Sequence, residues 1–193
     1  MAGAEFPPAP WSMRGQMHLS LWRVGRRVVG TAFVDYQPGS DLTYAELLRA
    51  RPARFGLRPA ATVTDIWVDS AASCAGGRAL WAIPKEMATF SLGHGAPDDA
   101  EPFYGAAHDD SGALLARAEF TGGRVLRRRR TFSSRTRQQR DDGEVVVAGL
   151  SGSATIRRAR ARWELPDHGP FADLRGRRPL ASVVLEDFDL RFG

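Results

Sequence analysis

The sequence predicts a mainly β protein with a few short helices, an α+β fold class whose strands are mostly antiparallel. Short runs of alternating apolar and polar residues recur along the chain. Groups of Gly, Asp, Ser and Pro separate these runs at positions that favour turns. A good helical pattern occurs in one short segment. Repeated strands with turn signals are typical of a barrel or of stacked sheets.

In the N-terminal part, two strands and a helix follow an extended start. Residues 1–11 are rich in Ala and Pro, which favours an extended backbone. Alternation predicts strands over 17–24 and 28–36, joined by a turn at 25–27. Residues 41–50 are predicted to form a short helix. The reasons are that Ser40 or Asp41 can cap it, and that Tyr44, Leu47 and Leu48 would share one face.

The rest of the chain predicts further strands. Residues 61–70 alternate and are β-branched, whereas 73–77 predict a loop or a tight helical turn. A polar loop is predicted at 93–102. The remaining strands are predicted at 87–92, 103–107, 113–120, 124–132, 145–150, 154–163 and 183–192, with turns at 109–112, 121–123 and 151–153. Since no linker divides the chain, we predict one domain over residues 1–193.

Composition restricts the class of protein. The 193 residues are 43% hydrophobic, which is enough for a core. The net charge is +5, but 22 acidic residues are mixed with the basic ones, so charge alone does not indicate nucleic-acid binding. We expect no signal peptide and no membrane span. Cys74 is the single cysteine, which excludes an intrachain disulfide and suits a reducing compartment. We therefore expect a cytoplasmic protein without a membrane or nucleic-acid partner.

One lysine stands out among the basic residues. Lys85 is the only lysine in the chain, and every other basic residue of this total of 27 is arginine. A guanidinium stays protonated, whereas a buried lysine can become neutral and attack a carbonyl. The alternative is that compositional bias left one lysine on the surface.

Three stretches around this lysine resemble the acetoacetate decarboxylase family. They are PPAPW at 7–11, YAE at 44–46 and GRALWAIPK at 77–85, followed by the closing strand at 183–192. The pieces occur in the family's order and span most of the chain. Of these, the pattern that ends in Pro-Lys is the most specific.

This resemblance implies both a fold and a site. The fold would be a closed, mostly antiparallel β-barrel flanked by additional strands, and relatives assemble as homo-oligomers. Lys85 matches the Schiff-base lysine and Glu46 the nearby catalytic glutamate. The matching stretches make Arg14, Gln16, Tyr44 and Trp81 the candidate substrate-binding residues. No organic cofactor and no metal would be needed, because the lysine itself forms the reactive imine.

The implied activity is that of a carbon–carbon lyase acting on a small keto acid. Lys85 would form an iminium with the carbonyl, which draws electrons from the neighbouring carbon. A β-carboxylate could then leave as carbon dioxide, or an enamine could form and react with an aldehyde. Lysine amines have an ordinary pKa near 10.4, so burial would have to favour the neutral form. Acetoacetate decarboxylase is itself a known example of a lysine activated by desolvation or by a neighbouring cation.

Three positions depart from the family pattern. Decarboxylases carry a second lysine after the nucleophile, and Glu86 stands there in this chain. An ungapped match puts Gln16 at the family's active-site arginine, with Arg14 two residues away. A second family glutamate falls near Thr31, with Asp35 close by. Related members run aldol, dehydration or cyclisation steps on 2-oxo acids, which fits altered acid–base groups.

Other groups of polar residues give weaker evidence for a function. The arginines at 124, 127–130, 135, 137 and 140 could bind phosphate, but few aromatic residues accompany them, so a solvated strand and loop is favoured. One of them could instead hold a substrate carboxylate. His18, His94, His108 and His168 lack metal-ligand spacing. Asp65 and Asp69 share a strand face and are expected to pair with arginines.

Two other functions remain open from the sequence. A non-catalytic ligand-binding or scaffold protein could keep the barrel fold, and its mark would be a solvent-reachable, protonated Lys85 paired with Glu86. A nucleic-acid binder would use the arginine segment.

Overall fold

The computed structural model describes residues 4–93 and 102–193. Within these residues the chain forms ten strands, one α-helix and a short 3₁₀ helix, which confirms the mainly β prediction. Helix α1 spans Ala71–Trp81 and the 3₁₀ helix Ala172–Leu174. The strands are β1 (Trp11–Val24), β2 (Arg27–Tyr36), β3 (Tyr44–Phe55), β4 (Arg58–Val68), β5 (Lys85–Met87), β6 (Thr89–Gly93), β7 (Phe103–His108), β8 (Leu114–Gln139), β9 (Val145–Glu164) and β10 (Ala181–Phe192).

The strands described in the structure belong to one sheet with the order β5-β4-β3-β2-β1-β10-β9-β8-β7-β6. Neighbours in this order are antiparallel except β4 and β5, which are parallel and are connected through α1. A further parallel contact joins β4 to β8 at Ala61 and Thr136. This contact links the first and the last strand of the series that runs in the sheet from β4 to β8. The closed barrel stays a prediction.

The contact between β4 and β8 depends on side chains as well as backbone. The buried amide of Gln138 accepts a hydrogen bond from Val63 N at 3.0 Å and donates one to Val63 O at 2.9 Å. Thr62 adds a hydrogen bond from its hydroxyl to Arg137 O at 2.8 Å. The Gln138 amide thus satisfies two backbone groups of β4, as a neighbouring strand would.

Side chains on both faces of the sheet are buried, in two separate clusters. One cluster includes Trp22, Phe33, Leu47 and Phe120. The other includes Trp11, Tyr36, Tyr44, Ile66, Val68, Trp81 and Phe188. Successive residues of a strand point to opposite faces, so β3 supplies Tyr44 to the second cluster and Leu47 to the first.

The predicted helix over 41–50 is wrong, because most of this segment is strand β3. It pairs antiparallel with β2, where Tyr36 faces Tyr44, and with β4, where Glu46 faces Val68. Residues 44–47 are all buried. A strand that is buried on both faces loses its apolar alternation, and its leucines can then imitate a helical face.

Other boundaries also differ from the prediction. The predicted turns at 121–123 and 151–153 lie inside β8 and β9, which pair along their length with register shifts between Gly122 and Arg130. Residues 73–77 belong to the longer helix α1. The turn at 109–112 is confirmed, with Asp109 accepting hydrogen bonds from Ser111 and Ala113. Of the predicted loop at 93–102, residues 94–101 lie outside the described residues. No helix in the described ranges is long and apolar enough to cross a membrane.

Candidate active site

Helix α1 and its C-terminal cap deliver Lys85 to the second cluster. The side chain of Ser70 caps the start of the helix by accepting a hydrogen bond from Ser73 N at 3.2 Å. At its other end Ala82 adopts a left-handed conformation with φ 54°, and Ile83 N donates to Gly77 O at 3.1 Å. With Ala82 N donating to Arg78 O at 3.1 Å, this arrangement is an αL-type cap, which ends the helix. Lys85 then begins β5, opposite Ile66 of β4.

The amine of Lys85 is buried and has three close polar neighbours. Its Nζ lies 2.8 Å from Ser73 Oγ, 3.0 Å from Glu46 Oε2 and 3.1 Å from Tyr44 Oη. The side chains of Lys85 and Glu46 are 5% and 4% exposed, so the ion pair is shielded from water. Nζ also lies 4.8 Å from the centre of the Tyr44 ring. Strands β3 and β5 and helix α1 therefore converge on one amine.

Two tyrosines complete the surroundings of Glu46. Tyr36 Oη donates to Glu46 Oε1 and Tyr44 Oη to Glu46 Oε2, both at 3.4 Å. Burial raises the pKa of the Tyr36 phenol well above its ordinary value, and the charge of Glu46 raises it further. Burial and then Glu46 also raise the pKa of Tyr44, although a hydrogen bond with Ser73 opposes this. Both phenols therefore keep their protons at neutral pH.

The backbone carbonyl of Lys85 is also held by helix α1. This carbonyl accepts hydrogen bonds from Arg78 Nε and from Cys74 Sγ, both on α1. Glu86 is exposed, and its Oε2 accepts a hydrogen bond from Trp67 Nε1 at 3.2 Å. Lys85 and Glu86 point to opposite faces of β5, as expected for neighbours in a strand. The carboxylate paired with the amine is Glu46.

Comparison with known proteins fits this geometry. A family model described as acetoacetate decarboxylase matches residues 19–187. The chain belongs to the acetoacetate decarboxylase family. Membership in this family supports a lysine-based enzyme. A comparison with curated proteins finds no match.

Solved structures of this family share the fold at low sequence identity. The acetoacetate decarboxylase of Legionella pneumophila is 16% identical, with 97% of this chain and 86% of that chain covered and a TM-score of 0.70. The enduracididine biosynthesis enzyme MppR complexed with pyruvate is also 16% identical, with 98% and 89% covered and a TM-score of 0.71. An acetoacetate decarboxylase-like enzyme from Sphingomonas wittichii is 15% identical, with 99% and 96% covered and a TM-score of 0.63.

The structure separates the four candidate substrate-binding residues. Tyr44 contacts the amine directly. Trp81 is buried in the same cluster, where its ring lies edge-on to Trp11 and to Phe192 at centroid distances of 4.6 Å. Arg14 is exposed, with its guanidinium 3.6 Å from the carboxylate of Asp189. Among the described residues, neither Arg14 nor Gln16 hydrogen-bonds to the group around Lys85. Their role in substrate binding stays a prediction.

The other positions singled out in the sequence lie elsewhere. Thr31, near the family's second glutamate, accepts a hydrogen bond from Trp22 Nε1 at 2.8 Å. Asp69 accepts one from Ala45 N, and Asp65 accepts one from the hydroxyl of Thr64, where arginine partners were expected. The run at 127–130 is exposed on β8. No cluster of metal-binding side chains occurs in the described part of the chain, and His94 lies outside it.

Two residues of the site were missed by sequence reasoning, Ser73 and Tyr36, which contact Lys85 and Glu46 respectively. Gly77 was part of the sequence motif without an assigned role, and it lies against the lysine side chain. Tyr36 could have been found from its pairing with Tyr44 across two neighbouring strands. The predicted helix over 41–50 did not allow this pairing. Ser73 and Gly77 would stand out only once residues 71–81 are read as a helix, because they lie four residues apart on one face.

Proposed function

We propose that this protein is a Schiff-base lyase that acts on a small keto acid through an iminium at Lys85. The observation that carries the proposal is the buried pair of Lys85 and Glu46, with Nζ and Oε2 3.0 Å apart, in a chain of the acetoacetate decarboxylase family. A buried amine next to a proton acceptor is the arrangement that lysine nucleophiles use. The non-catalytic alternative expected a solvent-reachable Lys85 paired with Glu86, and neither feature is seen.

Glu46 is the group that would move protons. An ammonium must lose a proton before it can attack, and Glu46 Oε2 is the carboxylate within hydrogen-bond distance of Nζ. Transfer of the proton converts a buried ion pair into two neutral groups, which a water-poor site tolerates better than separated charges. The proton then resides on Glu46, where it can be returned to a leaving hydroxyl or to a carbanion.

The reaction would follow from these two residues. The neutral amine adds to the substrate carbonyl, and the carbinolamine accepts a proton and loses water to give the iminium. In a β-keto acid the bond to the carboxylate breaks, its electron pair enters the enamine and carbon dioxide leaves. In a 2-oxo acid an α-proton is removed instead, and the enamine attacks an aldehyde. Protonation and addition of water release the product and restore Lys85.

The choice between these two outcomes rests on the groups around the amine. Decarboxylation needs no base, whereas enamine formation from a 2-oxo acid needs one close to the α-carbon. Glu46 matches a glutamate of the decarboxylases and would serve either outcome, but the departures at Gln16, Thr31 and Glu86 favour the second, and MppR, which shares the fold, is complexed with pyruvate. We therefore propose 2-oxo acid chemistry of the aldol or dehydration type ahead of decarboxylation.

Borohydride trapping tests the proposal directly. Pyruvate or acetoacetate is incubated with the protein and reduced, and intact mass then detects a covalent adduct. Because Lys85 is the only lysine, the adduct can lie on Lys85 or on the N-terminal amine, and Lys85→Met tells them apart. We expect one adduct in the wild type and none in Lys85→Met, with peptide mapping placing it at Lys85. Absence of an adduct across a panel of keto acids would reject the enzyme function and favour a binding protein.

A further inference from the structure

Ser73 is fully buried and its hydroxyl is directed at the reactive amine. It lies in the first turn of α1, where the capping role belongs to Ser70. Its Oγ is 2.8 Å from Lys85 Nζ, the shortest of the three polar contacts of the amine. Helix capping therefore does not explain this side chain, and its function lies with Lys85.

The number of hydrogens on Nζ decides what its neighbours must do. An ammonium donates three hydrogen bonds, and Glu46, Tyr44 and Ser73 provide three acceptors. A neutral amine has two hydrogens and one lone pair. When Lys85 loses its proton, one of the three neighbours must therefore change from acceptor to donor or leave a buried polar atom without a partner.

Two neighbours can make this change. Glu46 becomes a donor only when it receives the proton itself, since an ionised carboxylate only accepts hydrogen bonds, whereas Ser73 can change whichever group receives the proton. The hydroxyl hydrogen of Tyr44 is directed to Glu46 Oε2, at 3.4 Å. The hydroxyl of a serine can rotate, so Ser73 can accept from the ammonium and then turn from Tyr44 to donate to the lone pair of the amine.

We infer that Ser73 is a positioning residue that controls the protonation of Lys85. A hydrogen bond to a charged group is stronger than one between neutral groups, so Ser73 stabilises the ammonium more than the amine. Removal of its hydroxyl would leave one N–H of the ammonium without an acceptor, whereas the amine would still have Glu46 and Tyr44. This inference rests on the proposed function, because it concerns the amine that would react. The hydrogen bonds around Nζ from which it is argued do not depend on that function.

The groups that face Lys85 set the background for this effect. Strand β3 contributes Glu46 and Tyr44, and β2 contributes Tyr36 through Glu46. On α1, Arg78 and Cys74 bind the lysine carbonyl. Glu86 of β5 is turned towards Trp67. When Ser73 loses its oxygen, Tyr44 also loses its hydrogen bond with Ser73, whereas the other contacts keep their partners. A change in the titration of Lys85 therefore reports the Ser73 hydroxyl together with this bond.

The single lysine makes this titration measurable without a substrate. In protein labelled with ¹³C-lysine, the ε-carbon signal reports Lys85 alone as the pH is varied. We expect Ser73→Ala to move the titration midpoint to lower pH by about half to one unit. Ser182→Ala is the matched control, because it removes another buried hydroxyl that is bonded to Ser20 and not to Lys85. An unchanged midpoint, or a shift to higher pH, would overturn the inference.

A second variant and a second readout separate this role from a structural one. Ser73→Cys keeps the shape of the side chain, with a larger atom that is a weaker hydrogen-bonding group, so it should shift the midpoint in the same direction by less. A purely structural role would slow borohydride trapping at every pH. The inference instead predicts that Ser73→Ala is trapped several-fold faster below the wild-type midpoint and at a similar rate above it.

The two proposals can fail independently. If the wild type forms no adduct with any keto acid but Ser73→Ala still moves the Lys85 midpoint, the proposed function fails and the inference stands. If the adduct forms and Ser73→Ala titrates like the wild type, the inference fails and the proposed function stands.

Discussion

At the scale of single residues, two adjacent glycines determine how closely α1 approaches its neighbours. A Cβ at Gly77 would lie 2.7 Å from Lys85 Cδ and 2.9 Å from its Cε. A Cβ at Gly76 would lie 2.6 Å from Cζ2 of Trp11. Both distances are shorter than real contacts allow, so each glycine makes room for one specific side chain. Gly77 makes room for Lys85 and Gly76 for Trp11 of the aromatic core.

Gly77→Ala should therefore disable the amine while the helix is retained. The new methyl group displaces the lysine stem, and a displacement of this size can cost about a hundredfold in rate. Alanine is otherwise favoured over glycine in a helix by about 1 kcal/mol. We expect loss of keto-acid trapping, measured by intact mass, with an unchanged circular dichroism spectrum.

Gly76→Ala is the matched control for this prediction. The same change one residue earlier meets Trp11, so it should lower the free energy of unfolding by about 1–3 kcal/mol through overpacking. Trapping per folded molecule should persist. Equal trapping in the wild type and Gly77→Ala would contradict the steric role of Gly77.

Sequence alone singled out residues whose chemistry is unusual in this chain, and their catalytic role stays a prediction. Lys85 is the only lysine, and the motif that contains it leads to Glu46 through the family resemblance. Ser73 could not be identified in this way, because serine is common and its importance comes from a distance of 2.8 Å across two elements. The direction of Glu86 followed from strand alternation once Lys85 was placed in β5.

At the scale of elements, the hairpin of β2 and β3 creates the polar half of the site. Tyr36 and Tyr44 are paired across the strands, and their rings lie 4.5 Å apart. Glu46 is two residues further along β3 and shares the face of Tyr44. A helix over 41–50 would have set Tyr44 and Glu46 about 200° apart around its axis, so the wrong element also hid the correct cluster.

A prediction at this scale concerns the seam between β4 and β8. Gln138→Leu would leave Val63 N and O without partners in a buried setting, and each lost partner costs about 1–3 kcal/mol. We expect a drop of about 2–4 kcal/mol in the free energy of unfolding, measured by urea denaturation.

The adjacent Gln139→Leu provides the control for the seam. Gln139 is exposed and its amide donates to Gly143 O in a turn, so its replacement should change stability by about 0.5 kcal/mol or less. Similar losses in the two variants would show that the amide of Gln138 does not hold the seam.

At the scale of the whole molecule, the order of the strands in the sheet could not be predicted from the sequence. The mainly β class followed from recurring alternation, but the order of strands did not, since no local signal shows that β1 pairs with β10. Trp11 of β1 faces Phe192 of β10 near opposite ends of the chain. The glycines within 121–123 also predict a turn, whereas in the structure they lie within β8, which is paired with β9.

The raised pKa of the two buried phenols makes the stability of the folded protein depend on pH. Burial, and then Glu46, hold the pKa of Tyr36 and of Tyr44 above the ordinary value near 10 that applies in the unfolded chain. Above about pH 10 the unfolded chain therefore loses protons that the folded protein keeps. The stabilisation is complete below this pH and decreases by about 1.4 kcal/mol per pH unit for each phenol as the pH rises.

Tyr36→Phe isolates one of these contributions. It should reduce the alkaline slope of the unfolding free energy by up to one proton, measured by urea denaturation over a pH series. Tyr104→Phe removes an exposed phenol, with 52% of Tyr104 accessible, and serves for comparison. If the two variants show the same slope, the buried environment of Tyr36 does not perturb its titration.

The pairing of β1 with β10 also has a kinetic consequence. Strands β2 and β3, which carry Tyr36 and Glu46, lie in the sheet next to β1. Strand β1 pairs with β10 only when residues some 180 positions apart meet, as Trp11 and Phe192 do. Closing so long a loop is slow, and β-rich chains with distant partners fold in about milliseconds to seconds. During synthesis β10 is made after every other described strand. The second cluster, which includes Tyr44 and also Phe188 of β10, can therefore be completed only after the chain has been translated through β10.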